Sequence, residues 1–510
     1  MATSIHSVYF PRILALAAFT ASSIFAFAQG PKTPEASVVS PLNAGPLQAI
    51  DLASALQLAG VENPNILLAR ERVEGAAAEH QLAAAQILPT LNLGTNFDNH
   101  TGVLQRSNGE LLKVNRGALY LGMGASAIGA GTVNVPGLVY DVNVSEVIYR
   151  SLVTRQRVQQ REFASVAVRN EMLLKVCTAY LELLRATGRR AVASHTRDEA
   201  KEVARVTANY AKTGQGREAD AERAATEYEQ RNTEVVQAES DTAVASARLA
   251  QLLNLDPSTR LQPTDGWVVP APIVPEPIPL VELLAIALTQ RPELSERQAA
   301  IQAALLELNA SKVLPFSPNV ILGYSAGTFG GGSNLVANGI LQPDGSTLKQ
   351  ARFGNFSDRQ DLDAVMYWSI QNLGVGNLAL IRLAQSNLRL EQLREVEVLN
   401  RVRAEVAAAH ARAHARYAQI DIGERAVISS QKAFQEDLTR TRNREGLPIE
   451  VLDSLRLLGR SRYSYLDAIV DYNRAQFELY VALGQPPAGV LARPIPSSLV
   501  PPPNSASSSK

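Results

Sequence analysis

The chain has 510 residues, and its 49 Lys and Arg balance 49 Asp and Glu for a formal net charge of zero. That balance removes the electrostatic case for nucleic acid or an anionic membrane surface as partner. The single cysteine, Cys177, forms no internal disulfide, so the length of the chain must supply its stability.

Residues 1–28 read as a secretory signal, with Arg12 ahead of an apolar run and Ala26-Phe27-Ala28 as an A-x-A cleavage site. The apolar run is short for a membrane span, and no later stretch approaches twenty apolar residues. An exported protein without a helical span is expected. Residues 29–47, rich in Pro, Ser and Ala, read as an extended leader. An alanine-dense helix is predicted over 47–88, ended by Leu88-Pro89. Residues 90–97 alternate as a strand, a Gly/Asn-containing loop follows, and a return strand is expected over 138–148. A long helix then covers 151–212 and stops at Gly214-Gln215-Gly216. The next helix, 217–254, carries a seven-residue line of Ala221, Tyr228, Val235, Thr242 and Leu249.

A proline-rich linker at 257–279 separates this half from a second that follows the same plan. Leu56-x-x-Ala59 before Asn63-Pro64 returns as Leu284-x-x-Ala287 before Arg291-Pro292. Leu88-Pro89 returns as Leu314-Pro315, the tip Gly214 as Gly446, and Leu253-Asn254 as Leu483-Gly484. Strands are expected at 319–328 and 361–371. In the latter, Leu362, Ala364, Met366, Trp368 and Ile370 alternate with a mostly polar set beginning at Asp361 and Asp363. The longest feature follows: residues 376–443 contain no proline, and Leu399, Val406, Ala413, Ile420, Val427 and Phe434 form a heptad line. Such a run makes one helix of roughly 100 Å, far beyond the usual globular length. It stops at Glu445-Gly446-Leu447-Pro448 and heads back. The division is thus a first structural repeat at 29–256 with its β-hairpin at 90–148, and a second at 280–484 with its hairpin at 319–371. A disordered tail, 485–510, is expected to close the chain.

The fold class is mainly α with a small β part: long α-helical hairpins plus four strands. Each strand is about the length that spans a tilted bilayer crossing. Hydrocarbon tolerates no unpaired sheet edge, and four strands cannot close a barrel by themselves. If these strands enter a membrane, several copies must share one barrel.

In order and spacing, the double repeat, the Leu-Pro junctions, Asn372-Leu373-Gly374-Val375-Gly376 and the glycine tips resemble the TolC family of outer membrane factors. The resemblance covers residues 47–485. It implies a homotrimer in Gram-negative cells, four strands per subunit closing one trimeric barrel in outer membrane lipid, and a helical tunnel across the periplasm. It also implies no catalytic residues and no cofactors. The partners would be a periplasmic adaptor (membrane fusion) protein and an inner-membrane pump, for efflux or type I secretion. A soluble periplasmic coiled-coil scaffold or adaptor is the alternative.

On that resemblance the pore constriction falls to Glu218, Asp220, Glu450 and Asp453, with Glu222 beside them. Three copies of an acidic pair in a narrow throat concentrate cations; the alternative is that such acids only complement helix dipoles. Adaptor docking falls to Thr213, Gly214 and Gln215 at one tip and to Glu445, Gly446 and Leu447 at the other. The family's closing tyrosine is absent, with Asn443 near its place between Arg442 and Arg444, so only an arginine–acid link is carried over. Leu362, Met366, Trp368 and Ile370 are the membrane-facing set. His410 and His414 stand one helical turn apart, but no glutamate between them completes the H-E-x-x-H motif, and no metal site is assigned.

Overall fold

A computed structural model describes residues 46–127, 132–265, 268–275, 278–333, 353–443 and 445–487. The expected signal peptide, most of the leader and most of the tail lie outside the described residues, as does Arg444.

The chain enters with a short strand, β1 (Leu47–Ile50), where sequence periodicity predicted helix. It pairs in parallel with β7 (Arg260–Pro263), a strand inside the predicted linker. Two helices follow rather than one, α1 (Leu52–Glu62) and α2 (Pro64–Ala85). Asp51 caps the first, accepting from Ser54 N at 2.7 Å. Asn63 ends it and starts the second, accepting from Asn65 N at 3.0 Å while Pro64 occupies a first-turn position that needs no donor. The second half repeats these lengths: α5 (Leu280–Gln290) has 11 residues like α1, and α6 (Pro292–Val313) has 22 like α2.

Helix α3 (Val144–Lys212) runs 69 residues and α7 (Val375–Arg442) runs 68. Each turns back into a 35-residue partner, α4 (Glu218–Leu252) and α8 (Pro448–Ala482). At ~1.5 Å per residue the long members reach about 100 Å. Helix α3 begins earlier than expected because Asn143 caps it, its carboxamide oxygen accepting from Ser145 N and Glu146 N at 3.1 and 3.2 Å. That cap shortens the predicted return strand to residues 138–143. The heptad line of α7 faces the core: Val406, Ala413, Ile420 and Phe434 are buried. Small seam residues permit close approach, and Gly423 would place a Cβ only 3.2 Å from the Tyr465 Cα of α8.

The largest apolar cluster forms where α1, α5 and the β1–β7 pair meet the long helices, around Leu56, Tyr180, Leu249, Leu283, Val406 and Leu479. Cys177 lies fully inside it, and burial pushes its thiol well above the ordinary range, so it behaves as a small inert core residue. Tyr180 donates its hydroxyl to the Asp265 carboxylate at the edge of this cluster.

The strands at the other end are longer than the sequence suggested. After β2 (Thr90–Leu91) comes β3 (Leu93–Gln105), a tight turn, and then β4 (Leu111–Ala125), fifteen residues of strand where a loop was expected. Next come β5 (Val135–Pro136), β6 (Leu138–Asn143), β8 (Asn319–Ser333) and β9 (Gly354–Tyr367). Strand β9 begins and ends earlier than predicted, leaving Trp368 and Ile370 beyond it. The chain then makes a left-handed turn through Asn372, Leu373 and Gly374 and enters α7.

Candidate functional site

Functional candidates occupy the two ends of the long helices. At the strand end, β8 is the spine of the sheet. Along one side it pairs first with β6 and then with β4, and along the other side with β9. Strands β2 and β3 pair in turn with β6 and β4. The sheet therefore has four lanes, and its outer lanes are open. Among the described residues β3 bonds only to β4, and β9 only to β8. Among the described residues, the outward-pointing half of the backbone groups along the thirteen residues of β3 and the fourteen of β9 meets no partner strand. A strand of thirteen residues, rising ~3.3 Å per residue and tilted about 45°, climbs roughly 30 Å, the thickness of a bilayer's hydrocarbon.

The pairing register sorts the side chains onto two unlike faces. Leu93, Phe97, Leu121, Leu322, Leu362 and Met366 share one face, and all are exposed. Phe97, Phe353 and Phe356 meet edge to face beside them, with ring centroids 6.0 and 5.8 Å apart. The opposite face carries Asn96, Asp98, His100, Arg116, Asp361 and Asp363, joined by Asp141 and Asn143 from β6. On that face Arg359 reaches Asp361 at 2.9 Å and lies over the Phe329 ring. The predicted membrane-facing residues Leu362 and Met366 lie on the apolar face. Trp368, past the strand end, donates its indole N–H to the Phe316 carbonyl at 3.3 Å, and Ile370 is exposed.

The two glycine tips define the other end. Gly214 takes a left-handed φ of 70°, and the Tyr210 carbonyl accepts from both Gln215 N and Gly216 N at 3.0 Å, which closes α3. At the second tip the Arg440 carbonyl accepts from Glu445 N at 2.8 Å. Thr213, Gly214, Gln215 and Leu447 are exposed there. The four acids proposed for a constriction have different surroundings. Glu218 is exposed in the first turn of α4. Asp220 is held by Arg223 at 3.1 Å. Glu450 accepts from Leu447 N at 3.2 Å, half of a capping box since Leu447 has no side-chain acceptor, and stands 3.9 Å from Arg440. Asp453 is open, its side chain 71 % exposed and 3.8 Å from Arg456. Glu218 and Asp453 are exposed and make no capping hydrogen bond.

Near the second tip Arg442, one of the arginines indicated by the sequence, pairs with an acid that the sequence did not indicate. Arg442 reaches Glu202 of α3 at 2.9 Å, and Tyr210 donates its hydroxyl to the Arg442 carbonyl at 2.8 Å. Hydrogen bonds from Arg205 and then Arg442 outweigh partial burial and hold the Glu202 carboxyl down at about 2. Further from the tip, Glu227 of α4 is 1 % exposed and bridges Arg231 and Arg456. Burial alone would raise its pKa, but the two guanidiniums hold it below the ordinary carboxylate value. Through Arg456, whose side chain is half exposed, this buried carboxylate ties α4 to α8. Neither Glu202 nor Glu227 was singled out from sequence, because their partners lie in the other half of the chain. Among the described residues no group of three His, Cys, Asp or Glu side chains is arranged to hold a metal.

No protein-family model matches the chain. Among curated proteins, CyaE of Bordetella pertussis is 26 % identical over 291 residues, which cover 56 % of this chain and 56 % of that protein. The match thus spans little more than half the length of that relative. Solved structures share the fold over most of the chain. The Campylobacter jejuni CmeC outer membrane channel superimposes with a TM-score of 0.68 at 15 % identity, covering 85 % of each chain. CusC, described for the conformational changes that accompany folding and transmembrane channel formation, gives 0.65 at 20 % identity over 86 % of this chain and 93 % of that one. The open state of the Neisseria gonorrhoeae MtrE outer membrane channel gives 0.62 at 18 % identity over 85 % and 89 %.

Proposed function

We propose that this chain, which carries the fold of the TolC-type outer membrane channels, is one of three identical copies that make a passive exit duct in the outer membrane. The observation that carries this reading is the pair of open sheet margins beside an exposed apolar face. Lipid tolerates the apolar face but not the margins, since each unpaired N–H or C=O in hydrocarbon costs several kcal/mol. Pairing β3 of one copy with β9 of the next removes every margin and closes a barrel, its polar face turned inward. The long helices α3 and α7, each about 100 Å, and the shorter helices beside them then continue the tunnel into the periplasm. The matched lengths of the two halves support an internal two-fold repeat. No step in this function is catalytic; the duct works by shape and charge.

The tips make the inner end of the tunnel. Glu218, Asp220, Glu450 and Asp453, present three times, give a throat that favours cations. The turns at Thr213-Gly214-Gln215 and Glu445-Gly446-Leu447 present an exposed surface for a periplasmic adaptor, which links the duct to an inner-membrane pump in a tripartite efflux or type I secretion system. The Arg442–Glu202 pair and the Tyr210–Arg442 bond hold the second tip against α3 and favour the closed end.

Recording from purified protein in a planar bilayer tests the reading. A heat-resistant oligomer with a cation-preferring conductance supports it. A monomer that stays in aqueous solution without detergent and never conducts overturns it. Profiling a deletion strain for lost drug resistance against lost secreted proteins then separates efflux from secretion.

A further inference from the structure

A segment in the middle of the sheet is not needed for the sheet at all. Met123 of β4 stands opposite Leu93 and Ala326, and Leu138 of β6 stands opposite Leu91 and Tyr324. Both neighbouring lanes therefore leave room for one residue between Met123 and Leu138, facing Asn92 on one side and Ser325 on the other. The chain places fourteen there, residues 124–137. The two stumps bond as though they were that single residue: Gly124 N donates to the Asn92 carbonyl at 2.9 Å, and Asn92 N donates to the Gly137 carbonyl. The lane is thus repaired around an excursion that leaves it and returns.

The excursion is fastened to the polar face. Gly124-Ala125 pairs with Val135-Pro136 as a two-stranded ribbon. Asn96, on the polar face of β3, accepts from Ala127 N at 2.9 Å and donates to its carbonyl at 3.3 Å. Ser325 accepts from Gly137 N at 3.1 Å in a buried bond. Ala127 and Val133 pack with Tyr120 and Phe329, also on that face, and all but Phe329 are at most 2 % exposed. The crossing is built for it: Gly124 takes a φ of 103°, and a Cβ on Gly137 would fall 2.5 Å from that of Met123. The described parts of the ribbon, Gly-Ala-Ser-Ala and Thr-Val-Asn-Val-Pro-Gly, hold no charged residue.

We infer that the described arms of this ribbon, 124–127 and 132–137, form a fixed, uncharged collar inside the barrel, a second restriction that filters cargo by size, separate from the acidic tips. The inference rests on the trimeric channel reading, since only a closed barrel turns the polar face into a lumen. Three ribbons anchored at one level narrow that lumen near the base of the barrel, only a few residues above the junction of α2 with β2. They add no charge of their own; the acids Asp98, Asp361 and Asp363 remain on the wall. The collar admits small solutes and extended chains and rejects folded protein.

The test is single-channel recording from the full chain in planar bilayers, with Arg442→Ala in every protein so that the tip does not set the current. Deleting residues 125–137 leaves Gly124 as the one residue the lane requires. Conductance is expected to rise at least twofold, and larger polymers added from the outer side are expected to enter, while the cation-to-anion permeability ratio changes little. Asn134→Cys, at an exposed ribbon position, supplies a variant that keeps the whole fold. A charged thiol reagent should lower its current in steps, and Cys177, being buried, does not react. Unchanged conductance in the deletion, or a current indifferent to reagent at residue 134, overturns the collar. A protein with the ribbon intact that forms no channel at all contradicts the channel reading instead.

Discussion

The two ends of the molecule differ in how completely one chain satisfies itself. At the tips, backbone groups close on their own helices, and the ionic contacts, Arg442 with Glu202 and Arg456 with Glu227, are made inside the same chain. At the sheet, two strand margins and an apolar face find no cover among the described residues. A structure that finishes one end and leaves the other open is built to be completed at the open end. Assembly is therefore expected to be driven from the strands, and opening to be set at the tips.

Substitutions at each end sharpen the contrast, beginning with the strands. An arginine on the apolar face, Leu322→Arg or Leu121→Arg, is expected to cost about 2–4 kcal/mol in the membrane. It should abolish the heat-resistant oligomer on gels, whereas Asp361→Asn on the opposite face should leave the oligomer intact. If the oligomer survives an arginine on the apolar face, the sheet does not face lipid. Next is Glu227→Ala, which removes the buried carboxylate joining Arg231 to Arg456 and should destabilise the α4–α8 contact by about 1.5–3 kcal/mol. Thermal unfolding followed by circular dichroism reads that loss, with the oligomer otherwise preserved.

Smaller effects belong to the tip. Glu450→Ala removes a cap and is expected to cost about 0.5–1 kcal/mol. Arg442→Ala, an exposed pair, should cost less than ~1 kcal/mol yet raise the open fraction in single-channel records, because its role is local closure. The pH dependence of that contact follows from the sign of the Glu202 shift. A carboxyl lowered from 4.5 to about 2 keeps its contact above the ordinary value and loses it as pH falls through about 2. Acidification from pH 7 to pH 5 should therefore leave the tip closed, and opening through this pair should need far stronger acid. Asp453→Ala should be the mildest for stability while still weakening cation preference; unchanged selectivity would leave Asp453 without a role in the throat.

Much of the helical part was legible because period and punctuation agree there. A proline-free heptad run predicted a helix over 376–443, and the structure has one at Val375–Arg442. The sheet was read less well. Strand β4 escaped notice because Gly117, Gly122 and Gly124 lie in it, and glycine ordinarily signals a loop; here glycines serve close approaches such as Gly122 to the Ala326–Gly327 backbone. The helix predicted over residues 47–50 is a strand because its partner, β7, lies more than two hundred residues away in a segment that proline content marked as linker. The tips were half legible: local punctuation placed glycines at both turns, but gave no sign of the pairing of Arg442 with Glu202 across 240 residues. Long-range ion pairs leave no periodic trace.

The claim that β3 of one copy pairs with β9 of the next can be tested by cysteine cross-linking. Each variant carries two introduced cysteines, one on the outer side of β3 and one on that of β9, with the single-cysteine variants as controls, and is oxidised in native membranes. A cross-linked ladder that stops at three chains, formed only by β3–β9 combinations, is the predicted result. Monomers at every position, or cross-links that run β3 to β3, would contradict it.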